Sequence, residues 1–151
     1  MMIRHVRLHL ITYGCGNFFD RNRFVPIQNR RHIKPTGGLW ASPVGAAYGW
    51  REWCIAEEWG DLGSSFETIY EGYTLIVDSL DDLSDFIWQP GGINWPDYEA
   101  MLKKNPIDGI YLTERGQDAT RWSSPGLYGY DCECVLVMNP DAVSECIIAV
   151  S

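Results

Sequence analysis

The stretch Lys34-Pro35-Thr36-Gly37-Gly38-Leu39-Trp40-Ala41-Ser42-Pro43 constrains the fold more than any other part of the chain. Proline has no amide hydrogen to give to a β-ladder, so Pro35 and Pro43 bracket a strand of only a few residues. Gly37 and Gly38 allow backbone conformations and close approaches that a β-carbon would block. So short a strand contributes little to a core by itself. It reads as a floor against which something flat is laid, with the other segments as walls around it.

The chain has 151 residues, which fits one domain (1–151) able to bury a core of ordinary size. A net charge of -8 argues against a duplex nucleic acid as partner, because such proteins present a basic surface. A local basic patch remains, formed by Arg21, Arg23, Arg30, Arg31 and Lys34. Seven tryptophans and eight tyrosines serve either a Trp-heavy core or a stacking pocket for a planar ligand, and the sequence leaves both open. The five cysteines are odd in number and lack C-x-x-C spacing, which fits neither a disulfide framework nor a zinc site. Reduced thiols and a cytoplasmic location are the expectation. No stretch reads as a signal peptide or approaches the ~20 apolar residues of a membrane span.

Residues 3–13 alternate as a strand, with Val6, Leu8 and Leu10 on one face and His5, Arg7 and His9 on the other. That polar face is either a functional surface or simply a solvated one. Residues 17–35 are irregular and basic, anchored by Phe18, Phe19, Phe24, Val25 and Ile27. After Pro43, the spacing predicts a helix over 44–59, stopped by Gly60. Strands are expected at 66–70 and 73–77, the latter by its β-branched and aromatic content. Ser79 is a helix N-cap, and a second helix is predicted at 95–102, with Pro96 at its start and Lys103 and Lys104 in its last turn. A strand follows at 107–113, then a polar loop at 114–130, then strands at 131–138 and 147–150. The resulting class is α+β, with more strand than helix.

Glu133 stands out because it enters an apolar strand between Cys132 and Cys134, and burying an ionised carboxylate costs several kcal/mol unless it is paired or opens onto a cleft. Asp131 falls on the same face. Both acids lie either at the exposed entry of the strand or at the rim of a pocket that faces His5, Arg7 and His9.

His9 in Leu8-His9-Leu10-Ile11-Thr12, the Gly38-Leu39-Trp40-Ala41-Ser42 strand with Tyr48 beyond it, and Glu133 in Asp131-Cys132-Glu133-Cys134-Val135 occur in that order. The pattern resembles the ADP-ribosyltransferase fold of the diphtheria toxin and poly(ADP-ribose) polymerase type, with its His…Tyr…Glu signature. The resemblance spans nearly the whole chain and rests on about a dozen residues, with Trp40 where the family usually has Tyr. The related Arg…Ser…Glu branch is matched through Arg7, Ser42 and Glu133. The fold it implies is α+β, with split, mostly antiparallel sheets around a central cleft and a few short helices.

The resemblance implies NAD as substrate or ligand, with Glu133, His9 and Tyr48 as catalytic residues. Arg7, His9, Gly38, Leu39, Trp40, Ser42, Tyr48, Arg30 and Lys34 are the implied nucleotide contacts. Trp40 and Tyr48 would sandwich the nicotinamide, main-chain groups near Gly38 would pair with its amide, and Arg30, Arg31 or Lys34 would meet the pyrophosphate. Glu133 would stabilise the oxocarbenium ion that forms as nicotinamide leaves, and ADP-ribose would pass to an acceptor that includes a protein among its candidates. The alternative is a binding protein that sequesters NAD or an ADP-ribose-derived nucleotide, including a cyclic one, without reacting. Either suits a bacterial or phage protein of host–virus conflict, and self-association through exposed tryptophans such as Trp122 is a further expectation.

Overall fold

The computed structural model describes residues 3–31, 34–91, 94–127 and 129–145. Its elements are β1 (Ile3–Tyr13), β2 (Leu39–Pro43), α1 (Trp50–Glu57), β3 (Ser65–Val77), α2 (Tyr98–Lys104), β4 (Gly109–Leu112), α3 (Glu114–Thr120), β5 (Cys134–Val137) and β6 (Val143–Glu145). Short 3-10 turns lie at Arg21–Arg23, Leu80–Asp85 and Pro140–Ala142.

The two long strands, β1 and β3, pair antiparallel from Ile3↔Leu75 to Tyr13↔Ser65. On its other edge β1 meets β2 at Leu10↔Pro43 and Ile11↔Ser42. β2 then pairs antiparallel with β5, β5 antiparallel with β4, and β4 parallel with the end of β3. The ring β1-β2-β5-β4-β3 thereby closes into a five-stranded barrel, and β6 pairs with β3 at 68–70 outside that ring. Closure gives these short strands two partners each and leaves none of them as a bare edge.

A closed sheet has an inside and an outside, and successive side chains alternate between them. The register carries this alternation around the ring without a break. Leu10, Leu39, Ala41, Phe66, Tyr70, Val135 and Val137 fill the interior, each at most 9% exposed. Leu75, Val77, Ile110, Leu112, Cys134 and Leu136 point outward into a second core, which they share with Tyr98 and Met101 of α2, Leu83, Phe86 and Leu127. Three interior threonines are buried as well. Thr12 donates to the Trp40 carbonyl at 2.8 Å. Thr74 donates to the Gly72 carbonyl at 3.1 Å and accepts from the Tyr70 hydroxyl at 2.6 Å.

The bracketed strand behaves as its glycines require. Gly37 and Gly38 sit at φ of +79 and +70, and a β-carbon on Gly37 would come within 2.3 Å of the Pro26 carbonyl oxygen. Several other expectations need correction. The segment 66–77 is one strand, since Glu71-Gly72 passes straight through while pairing with Val6 and Arg7. The expected helix over 44–59 is only α1, because Gly45 (φ +85) holds the chain in turns until Gly49. It ends at Glu58, which adopts φ 51, so the left-handed stop falls two residues before Gly60. The second helix begins after Asp97, whose carboxylate caps it by accepting from the Ala100 amide, so Pro96 lies outside it. The 114–130 loop contains α3, capped by Thr113. The expected strand over 131–138 starts only at Cys134. The predicted strand at 147–150 lies outside the described residues, and β6 was not foreseen. The sheet is one closed ring, so no central cleft splits it into separate sheets. Among the described residues no helix is long and apolar enough to cross a membrane.

Candidate functional site

A cleft of about 260 Å³ opens on the outer face of the barrel, over β2 and the residues leading into β5. Ala41, Ser42, Cys132 and Cys134 line it together with four tryptophans, Trp40, Trp50, Trp53 and Trp59, and with Lys34 and Asp131. Trp40 reaches it because residue 40 alternates outward while Leu39 and Ala41 turn in. The other three tryptophans come from α1 and the turn after it, where Trp50 and Trp53 are one helical turn apart and share a face. Trp59 meets Trp53 edge-on at 5.4 Å and is 65% exposed.

One hydroxyl holds the cleft together. Ser42, 2% exposed, donates to the Glu133 carbonyl at 2.8 Å and accepts from the Trp50 amide at 2.9 Å. It therefore joins the end of β2 to the approach of β5 and caps the first turn of α1 from outside that helix. The Glu133 amide donates to the Tyr48 carbonyl at 3.1 Å, a second tie between the same segments.

At the cleft's polar side, the Lys34 ammonium lies 5.1 Å from the Trp40 ring centre and 3.9 Å from the Asp131 carboxylate. Arg121 approaches the other Asp131 oxygen at 3.3 Å. Tyr130 packs against Trp40 with ring centres 5.4 Å apart, and its hydroxyl is hydrogen-bonded to Tyr98 of α2. Two thiols sit side by side. The Cys134 thiol donates to Cys132 and, with the Lys34 ammonium, holds the Cys132 thiol below the ordinary range against the opposing effects of burial and the Asp131 carboxylate. Cys134, tied to Cys132 and fully buried, is pushed well up.

The sequence-derived residues divide between two faces. Trp40, Ser42 and Lys34 line the cleft. Glu133 lends its backbone to the cleft but turns its carboxylate toward the Tyr111 hydroxyl, which donates to it. Tyr111 pairs with Val135 on the inward-facing register, and its hydroxyl is raised above the usual phenol range by burial and then by this carboxylate. His9 stands on the outward face of β1, where its Nε2 meets the Glu67 carboxylate at 2.7 Å. The barrel wall therefore separates the His9 imidazole from the Glu133 carboxylate.

Leu39 faces the interior, and the Gly38 amide is used by the Val25 carbonyl at 2.8 Å. Trp40 has Tyr130 and Lys34 as ring partners, and Tyr48, 36% exposed, is not among the cleft's lining residues. Arg7 and Arg30 are both exposed and also do not line the cleft. His5, Arg7 and His9 thus form a solvated strand face, the simpler of the two readings of that pattern.

Trp50, Trp53, Trp59 and Cys132 complete the site without having been singled out. The Trp50-x-x-Trp53 spacing was the available signal, and a helix boundary placed too early concealed which face it occupies.

The fold and its site define a small α+β barrel carrying an aromatic cleft on its outer wall. Comparison with protein-family models, with curated proteins and with solved structures finds no match to this chain.

Proposed function

We propose that the chain is an ADP-ribosyltransferase-like binding protein for NAD or an ADP-ribose-derived nucleotide that holds its ligand without turning it over. The observation that carries this reading is the cleft lined by four tryptophans, with Lys34 and Asp131 on its polar side. Aromatic faces favour a planar ring over an aliphatic group of equal area. A volume of about 260 Å³ is just under the ~300–1,000 Å³ of drug-sized pockets, which suits one nucleobase or nicotinamide ring inside and the remaining nucleotide across the mouth. Lys34 would meet a phosphate there as a point charge.

Binding is favoured over transfer because the acid and imidazole expected to act together are not on one face. A transferase built on this cleft would have to draw on Asp131, and that carboxylate already has Lys34 and Arg121 as partners. The acceptor, a protein among the candidates, belongs to this second reading alone.

Calorimetric titration with NAD, ADP-ribose and cyclic ADP-ribose, alongside chromatography for free nicotinamide, separates the two. Saturable binding without nicotinamide release is the expected result. Trp50→Ala should weaken binding about tenfold, the equivalent of ~1.4 kcal/mol, while Glu133→Gln leaves it unchanged. Nicotinamide release that Glu133→Gln abolishes would restore the transferase. Absence of binding by all three nucleotides would remove the nucleotide reading altogether.

A further inference from the structure

The cleft has a second property that nucleotide binding does not use. Cys132, 8% exposed, lines the floor of a cavity whose walls are aromatic. Three cysteines approach one another here, since the buried Cys54 of α1 interacts electrostatically with Cys132, and Cys134 shares a hydrogen bond with it. Among the described residues no group of His, Cys, Asp or Glu is arranged to hold a metal ion. Cys54, Cys132 and Cys134 are all free thiols.

We propose that Cys132 is a nucleophilic thiol that captures a planar conjugated carbonyl compound seated in the tryptophan cleft. In that step the Cys132 sulfur forms a bond to the β-carbon of the ligand. The π-electron pair of the C=C bond moves onto the carbonyl oxygen as an enolate, and the α-carbon then takes a proton from solvent. No group leaves, and nothing is oxidised or reduced.

The surroundings supply what such a step requires. The thiolate is the reactive form, and nearby donors and cations populate it. The charged and titratable groups acting on Cys132 come from its own segment and from the elements packed against it. Cys134 and Asp131 come from its own segment, Cys54 from α1 and Lys34 from the approach to β2. Asp131 opposes the thiolate, and Arg121 and Lys34 offset that charge. The tryptophans confine the electrophile to a flat, conjugated one. Cys15 is the internal comparison, because it is exposed and lines a different cavity. Capture uses the same cleft as the proposed function but does not require a nucleotide to occupy it.

The test exposes the intact chain to limiting N-phenylmaleimide or N-methylmaleimide slightly below neutral pH and maps the adducts by peptide mass spectrometry. Cys132 should acquire the phenyl adduct several-fold faster than the far more exposed Cys15, because the tryptophan cleft holds the aryl group against the Cys132 thiol. The preference for phenyl over methyl reagent should also be several-fold larger at Cys132 than at Cys15. Cys132→Ser should remove the fast adduct while leaving the Cys15 rate as it was. Faster labelling of Cys15, an equal phenyl preference at both thiols, or a fast adduct that survives Cys132→Ser would each overturn the proposal. Nucleotide titration is a separate readout, so phenylmaleimide capture without nucleotide affinity would sink the proposed function and keep this one.

Discussion

Single residues decide how costly this barrel is to close. Thr68 is 0% exposed, and among the described residues its hydroxyl is the buried side-chain oxygen with no hydrogen-bond partner. The other interior threonines are satisfied: Thr12 by the Trp40 carbonyl, Thr74 by Gly72 and Tyr70. A buried hydroxyl that bonds to nothing forfeits its hydration, whereas a methyl group of the same shape does not. Thr68→Val should therefore stabilise the fold by about 1 kcal/mol in chemical denaturation, with an unchanged slope against denaturant. A loss of stability on that substitution would mean the hydroxyl is satisfied after all. The same alternation explains why Glu133 was both conspicuous and misleading. Its place beside Cys132 and Cys134 correctly marked the approach to a buried strand. The chain alone did not reveal that Tyr111, twenty-two positions earlier, would receive the carboxylate on the inward side.

At the scale of elements, period-two patterns were legible and helix ends were not. β1 was readable because Val6, Leu8 and Leu10 alternate with His5, Arg7 and His9, and the apolar face packs on the barrel interior, with Leu10 buried and Val6 and Leu8 half-buried. β2 was readable from its two prolines and the glycine pair. β3 was divided wrongly at Gly72, since a glycine in a strand also marks places where another group crowds the backbone. Here that group is Asp108, which would lie 2.5 Å from an added β-carbon. Asp108 takes the Tyr73 amide at 2.8 Å and the Asn139 side-chain amide at 2.8 Å, clamping the parallel β3–β4 start to the end of β5. α3 was hidden for a related reason. Gly116 lowers helix propensity yet is required where the helix crosses β3, because a β-carbon there would fall 1.9 Å from the Val77 carbonyl oxygen. Gly116→Ala should thus lose about 2 kcal/mol or more despite its better helix propensity, measured as a lower midpoint of thermal unfolding. A neutral or stabilising effect would show that α3 can lift from the strand at no cost.

The whole molecule stacks two cores on the two sides of one sheet wall, and each contains a buried tyrosine. Tyr70 sits in the barrel interior at 0% exposure, its hydroxyl pushed up to about 12 by burial. Tyr98, in the outer core beneath the cleft, is raised further by the same cause, and Tyr111 is raised by burial and by Glu133. The sign follows directly from proton uptake. Below pH ~10 these phenols are protonated both folded and unfolded and favour neither state. Above it the unfolded chain ionises while the folded chain holds its protons, so stability falls as pH rises. Each tyrosine contributes a slope of about 1.4 kcal/mol per pH unit over that window, and the slopes add while all three remain protonated in the fold. Denaturation midpoints measured at intervals from neutral pH to about 11.5 should be level as far as these phenols are concerned until ~10 and then drop steeply. Tyr98 bonds to Tyr130, which packs on Trp40, so the same alkaline transition should open the outer core and the tryptophan cleft together. Tryptophan fluorescence and far-ultraviolet circular dichroism should accordingly report one coincident transition. Separate midpoints for the two signals would mean that the cleft loosens independently of the barrel that carries it.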